Sequence, residues 1–212
     1  MIRALVADDE PLITAGIRTV LESAGDIEVV AQAGDGRAAI AEAARHRPDV
    51  GLIDINMPVL DGLAALSELR HHVPALLMLT SFGAEPNVLR ALQEGAAGFL
   101  LKNCTPDELI RAVRAAYGGD AYLSPEVTRL VLGMVPAETA ARRRAAAARL
   151  AVLAPRETQV LDLVAQGMSN AEIARALRMT EPSVKTYVSR ILTKVDCTNR
   201  VQLALLARDA AS

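Results

Sequence analysis

A regular alternation in the first half of the chain constrains its fold more than any other feature. Short apolar runs recur at Ile2–Ala7, 27–31, 50–53, 75–79 and Gly98–Leu101. Between them lie segments whose apolar residues repeat at helical spacing. These are 12–21, with Ile13, Ile17, Val20 and Leu21 on one face, then 36–45, Gly62–Leu69, 87–94, and 106–117 with Leu109, Ile110 and Val113. A continuous apolar run of about five residues suits a strand buried on both faces, the condition of a parallel sheet. Parallel neighbours need crossover connections, and helices supply them. The alternation therefore predicts an α/β domain, a doubly wound five-stranded parallel sheet. Ligands in such sheets bind beyond the carboxyl ends of the strands.

The residues at those ends are chemically alike in purpose. The first run ends in Asp8-Asp9, the third in Asp54, the fourth in Thr80 and the fifth in Lys102. All five side chains are expected in one crevice. Three crowded carboxylates repel one another unless a cation neutralises them. A hard divalent ion with oxygen ligands, Mg²⁺ above all, suits that site. With Mg²⁺ and Lys102 supplying positive charge, Asp54 can act as a carboxylate nucleophile toward a phosphoryl group. The Thr80 hydroxyl and the Lys102 ammonium can then hold the phosphoryl oxygens. An Asp after a strand is often only a turn former or helix cap. That explains Asp8 or Asp54 singly, but not acids, hydroxyl and lysine each at its own strand end.

Charge divides the chain in two. Residues 1–120 carry 10 Lys and Arg against 17 Asp and Glu, a net of −7; residues 121–212 carry 13 against 8, a net of +5. An acidic half followed by a basic half suggests two domains with different partners, the second partner polyanionic; the competing reading is chance variation in solvated faces. Residues 133–150 hold a Pro, little large apolar content and the run Arg142-Arg143-Arg144, so 121–150 reads as a linker that is helical over 137–150. Residues 151–212 read as a small all-α domain. Pro155-Arg156-Glu157 opens a helix with Val160, Leu161 and Val164 inward, and Gly167 ends it. Ser169 and Glu172 have capping-box spacing for a second helix bearing Ile173, Ala174 and Leu177. Thr180 caps a third, with Pro182 in its first turn. There Val184, Val188, Ile191 and Val195 form a buried stripe and leave Lys185, Ser189, Arg190 and Lys194 off it. Two short helices around a tight turn, the second basic on its outer face, describe a helix-turn-helix. The competing reading is a plain three-helix bundle with a solvated face.

Other classes fall away on composition. Aromatic residues are 2% of the 212, with no Trp, which disfavours stacking platforms for single-stranded nucleic acid. The longest apolar runs are strand-length, far short of the roughly 20 residues that span a bilayer. Residues 1–7 run straight into acids, unlike a signal peptide. Cys104 and Cys197 have no metal-type spacing and make no disulfide framework, so a reducing cytoplasm is the expected location.

The motif Asp8-Asp9, the run Asp54-Ile55-Asn56-Met57-Pro58-Val59-Leu60-Asp61-Gly62, Thr80 and Leu101-Lys102 together resemble the receiver domain of two-component response regulators, a flavodoxin-like fold, over residues 1–120. The resemblance implies that Asp54 accepts a phosphoryl group from a sensor histidine kinase. It makes Asp9 and Asp54 direct Mg²⁺ ligands, with Asp8 acting through water and Asn56 through its carbonyl. Thr80 and Phe99 become a switch pair. In the second half, Leu153-Ala154-Pro155-Arg156-Glu157, Gly167-Met168-Ser169-Asn170-Ala171-Glu172-Ile173-Ala174, Ser183-Val184-Lys185-Thr186 and Ile191-Leu192-Thr193-Lys194 resemble the LuxR-type DNA-binding domain. The whole is similar to NarL/FixJ-family response regulators. That implies Lys185, Thr186 and Ser189 on the base-contacting face of a double-stranded operator, with Arg190 beside them and Lys194 nearer the phosphates. It also implies homodimerisation on phosphorylation, in which the helix 200–208 takes part. Tyr187 stands where the family usually has His, and Cys197 where it usually has Gly or an apolar residue. A different class, the phosphatases that use an aspartyl-phosphate intermediate, usually needs an Asp two residues after the nucleophile as acid and base. Asn56 holds that place, so a non-enzymatic regulator is expected.

Overall fold

The computed structural model describes residues 1–80, 85–124, 127–128 and 140–211, and of 85–87, 89, 140–142 and 211 the backbone alone. It divides into two compact units, Met1–Tyr117 with Ala121–Met134, and Gly118–Asp120 with Val135–Ser212. In the first, β1 (Ile2–Ala7), β2 (Ile27–Ala33), β3 (Val50–Asp54), β4 (Ala75–Thr80), β5 (Gly98–Leu101) and β6 (Tyr122–Leu123) alternate with helices. These are α1 (Pro11–Ser23), α2 (Gly36–His46), α3 (Gly62–Leu69), α4 (Glu85–Glu94) and α5 (Pro106–Gly118). All pairings are parallel, in the order β2-β1-β3-β4-β5-β6.

Every residue of β3 and β4 is buried, as strands covered on both faces must be, whereas β2 alternates buried and exposed positions at its edge. Leu5, Leu52, Ile53, Leu77 and Leu79 are among the largest fully buried side chains, so aliphatic packing carries this core. The sheet has six strands, not the five expected. The extra one, β6, pairs Gly98 with Tyr122 and Phe99 with Leu123. Two residues make no detectable apolar run, and the pairing depends on Gly98, because a Cβ there would overlap the Tyr122 carbonyl oxygen.

The strand order reverses direction between β1 and β3, which opens the crevice where such sheets bind ligands. Asp35 and Asp61 cap α2 and α3, accepting from the Ala38 and Ala64 backbone N–H groups at 2.8 and 2.7 Å. The loop from β3 to α3 carries a backbone anomaly. Val59 adopts φ 65° with its side chain exposed, a conformation that costs a β-branched residue of order 1–2 kcal/mol.

The second unit holds α6 (Ala140–Leu150), α7 (Pro155–Ala165), α8 (Asn170–Leu177), α9 (Glu181–Lys194) and α10 (Arg200–Ala211). Its core joins Val160, Leu161, Val164, Ile173, Val184, Val188, Ile191, Val195, Leu203 and Leu206. Ala146 is buried in the same core, and Leu150 packs against it, so α6 belongs to this unit. The expected helix over 137–150 is thus present from Ala140; residues 129–139 of the expected linker lie outside the described residues. Ser169 and Glu172 form the capping box reciprocally, with Glu172 accepting from Ser169 N–H at 2.8 Å. Thr180 caps α9 by accepting from Ser183 N–H, and Gly167, at φ 80°, turns the chain after α7. No helix among the described residues is long and apolar enough to cross a membrane.

Candidate functional site

The crevice is built by the ends of four strands. Asp8 follows β1 and is buried; its Oδ1 accepts from the Glu10 backbone N–H at 3.0 Å. Asp9, beside it, is exposed. Asp54 closes β3 and is 2% exposed. Thr80 closes β4 and is buried, with its carbonyl accepting from Lys102 N–H at 2.9 Å. Lys102, one residue past β5, sends its Nζ to Asp8 Oδ2 at 2.8 Å and Asp54 Oδ2 at 3.2 Å. The structure therefore brings the two buried acids around one lysine, and Asp8, Asp9 and Asp54 offer carboxylate oxygens all within 4.8 Å of one another.

Charge is unevenly settled there. Burial pushes the Asp54 carboxyl up, and Asp8 adds to the push, while Lys102 and the Asn56 backbone N–H oppose it. Burial works against the Lys102 ammonium too, yet Asp8 and Asp54 outweigh it and hold the lysine well above its ordinary range. Asp8 Oδ2 is buried, and it contacts the Lys102 ammonium at 2.8 Å. Three carboxylates clustered about a single lysine leave negative charge in excess, a donor set that fits a hard divalent cation.

The remaining residues take different places. Asn56 is exposed in the loop after β3. Phe99 is fully buried in β5, paired in register with Met78 of β4. Gly62, at the start of α3, is forced by closeness, because a Cβ would overlap the Asp54 carbonyl oxygen. One acid escaped the sequence reading: Glu10 places Oε1 3.4 Å from Lys102 Nζ. Its position directly after Asp8-Asp9 was the available signal.

On α9, Val184, Val188 and Ile191 are buried, as is Val195 just past its end, and Lys185, Thr186, Ser189, Arg190 and Lys194 are all exposed. The five thus share the outer surface of one helix. Thr186 and Lys194 each make a bond within the unit. Thr186 Oγ1 donates to the Pro182 carbonyl at 2.9 Å, one turn back. Lys194 Nζ donates to Glu157 Oε2 at 2.8 Å. Glu157, at the start of α7, also accepts from Ala154 N–H at 2.8 Å, and Lys194 with that bond holds its carboxyl below the usual range. Tyr187 is half-buried against the core. In α10, Leu203 and Leu206 are buried in the same core, and Val201 and Leu205 are half-exposed.

Residues 4–114 match the family model of the response regulator receiver domain, and residues 151–207 that of the bacterial regulatory proteins of the luxR family. The Bacillus subtilis (strain 168) transcriptional regulatory protein YxjL is 37% identical over 97% of this chain and 94% of its own. The nitrate/nitrite response regulator NarL of Escherichia coli K12 is 35% identical over 95% and 92%. Among solved structures, the response regulator ChrA of a heme-sensing two-component system has a TM-score of 0.54 at 33% identity, covering 99% of this chain and 98% of that one. The family is one of transcription regulators, not of classical enzymes. With an acid–lysine crevice at the strand ends of one unit and a helix-turn-helix in the other, this chain belongs to the NarL/FixJ family of two-component response regulators, a receiver domain joined to a LuxR-type DNA-binding domain.

Proposed function

We propose that a sensor histidine kinase phosphorylates Asp54, and that the modified chain dimerises and binds a specific double-stranded DNA operator to regulate transcription in the cytoplasm. Residues 1–120 carry the receiver chemistry and 151–212 the DNA-binding surface; of the expected linker 121–150, β6 extends the receiver sheet and α6 packs in the second unit. The single observation that carries this reading is the convergence of Asp8, Asp54 and Lys102 within ion-pair distance at the strand ends.

Asp54 Oδ attacks the phosphorus of a phosphohistidine, and the imidazole nitrogen leaves with the electron pair of the broken bond. Desolvation keeps the Asp54 carboxylate reactive, since water does not blanket its charge. Asp9 and Asp54 would hold Mg²⁺ directly, Asp8 through water, and Asn56 through its carbonyl. Bound there, Mg²⁺ would offset the charge of the transferring phosphoryl oxygens. Lys102 is already paired with Asp54 and is free to follow the charge outward onto a phosphoryl oxygen. The Thr80 hydroxyl moves toward the same group; Phe99, the other member of the switch pair, is already fully buried in this structure. On DNA, Lys185, Thr186 and Ser189 face base edges, Arg190 lies beside them, and Lys194 lies nearer the phosphates.

One short recognition helix covers few base pairs and binds weakly at physiological salt. Two held together read half-sites about one helical turn apart, and linkage raises effective concentration without new contacts. Phosphate-affinity electrophoresis after treatment with acetyl phosphate and Mg²⁺ tests the first step. The wild type should be retarded and Asp54→Asn should not; equal retardation overturns the assignment. Sedimentation with beryllofluoride tests the second. An unchanged monomer fraction together with unchanged operator affinity overturns phosphorylation-driven dimerisation.

A further inference from the structure

We infer that Arg149 is a positioning residue for DNA recognition, which fastens the C-terminal end of α9 from helix α6. The inference rests on the reading of α9 as the base-contacting helix. After Lys194 the chain makes a turn in which Cys197 N–H donates to the Leu192 carbonyl at 2.9 Å and Asp196 N–H to the Thr193 carbonyl at 3.4 Å. Asp196 stands at φ 51°, a left-handed position that usually takes glycine. These bonds leave the Val195 and Asp196 carbonyls to find other donors.

Arg149 supplies them. Its Nε donates to Val195 O at 3.1 Å, and its Nη2 donates to that same oxygen and to Asp196 O at 2.9 Å. Nη2 also lies 3.6 Å from Cys197 Sγ. A planar, permanently charged fork suits several carbonyls at once, and a cation there complements the helix dipole. The helix that carries Arg149 is seated independently, by the burial of Ala146 and the packing of Leu150. Arg149 therefore ties α9 to a fixed neighbour. The Lys194–Glu157 pair is a second tie at the same end of α9. Base contacts tolerate little displacement of their helix, whereas phosphate contacts through long side chains tolerate more. Loss of the tie should thus cost sequence preference rather than general DNA affinity.

The test uses the full chain, with a duplex selected in vitro by the wild type from random sequence and a scrambled duplex of equal length. Arg149→Ala should bind the selected duplex about tenfold more weakly and the scrambled one less than twofold, with an unchanged salt slope. Arg149→Lys should recover little, since an ammonium cannot fork. Adding Asp196→Gly relieves the left-handed turn and should restore the melting temperature without restoring affinity for the selected duplex. In the DNA-free protein, the amide NMR signals of residues 189–194 should differ between Arg149→Ala/Asp196→Gly and Asp196→Gly alone. Equal losses on the two duplexes, affinity restored along with melting, or unmoved amide signals would each overturn the proposal. A wild type that prefers no selected duplex counts against the DNA-binding reading instead, and the amide signals then decide the role of Arg149.

Discussion

Replacing Gly62 by Ala should disable the phosphoryl-acceptor site without touching an acid. The new Cβ would overlap the Asp54 carbonyl oxygen, stand 2.9 Å from the carbonyl carbon, and lie 3.0 Å from Ile53 Cγ2. The first two are backbone atoms of a buried strand, so no flexible side chain can yield. Gly62 is also held from the other side, because its N–H donates to the Ile55 carbonyl at 2.9 Å. Either the end of β3 or the start of α3 must therefore retreat, by about 1 Å, and β3 is the strand that presents Asp54. Misplacement of a reacting group by that distance costs roughly a hundredfold in rate, and overpacking of this kind costs about 1–3 kcal/mol of stability. Gly16→Ala is the control. Gly16 lies inside α1 with open space around its Cβ direction, so alanine there should stabilise the helix by about 0.5–1 kcal/mol. Thermal melts and the rate of labelling by acetyl phosphate, read on phosphate-affinity gels, measure both effects. If Gly62→Ala labelled at the wild-type rate and melted with the wild type, the close packing of α3 on Asp54 would be wrong.

Asp54→Asn should melt above the wild type in the absence of metal. A carboxyl whose folded value is raised contributes stability below its unfolded value and loses it as pH rises through the folded one, so the gap should widen with pH across that window and then level off. Added Mg²⁺ should raise the melting temperature of the wild type more than that of the variant; an equal rise would detach Asp54 from the metal. Val59→Gly should stabilise the receiver by about 0.5–1 kcal/mol, the relief at φ 65° less the added freedom of the unfolded chain, and differential scanning calorimetry would show a lower melting temperature if the loop were not strained. Glu157 is held low by Lys194, so that pair contributes stability above the ordinary glutamate range and loses it as pH falls through the folded value. A Lys194→Ala chain should accordingly show a flatter acid limb in its melting profile, and its salt slope for DNA should fall by up to about one unit. Lys185→Ala should cost about 1–3 kcal/mol on the selected duplex alone, and an equal loss on scrambled DNA would remove Lys185 from the base-contacting face.

Hydrophobic period is a local property, and it sufficed for β1 to β5 and for the helices between them, whereas α6 was legible from its Ala and Arg content. Continuous apolar runs marked β1 to β5, and Ser169, Glu172 and Thr180 marked helix starts through contacts within three residues. The crevice was legible for a topological reason. Once the strands are parallel, whatever follows each run lies on one side of the sheet, so Asp8, Asp54, Thr80 and Lys102 share an edge whatever the side-chain details. The outer face of α9 followed in the same way from its buried stripe. Tertiary structure decided what depends on approach between distant segments. The edge strand β6 exists because Gly98 leaves room for Tyr122, a condition invisible in two residues. Lys102 divides its charge among Asp8, Asp54 and Glu10, and Lys194 gives part of its own to Glu157. Val59 stands left-handed in the loop between β3 and α3, and Arg149 reaches carbonyls 46 and 47 residues away. Periodicity determines which face of an element is buried; distances, and hence which charges pair and which backbone is strained, arise only when those faces close on one another.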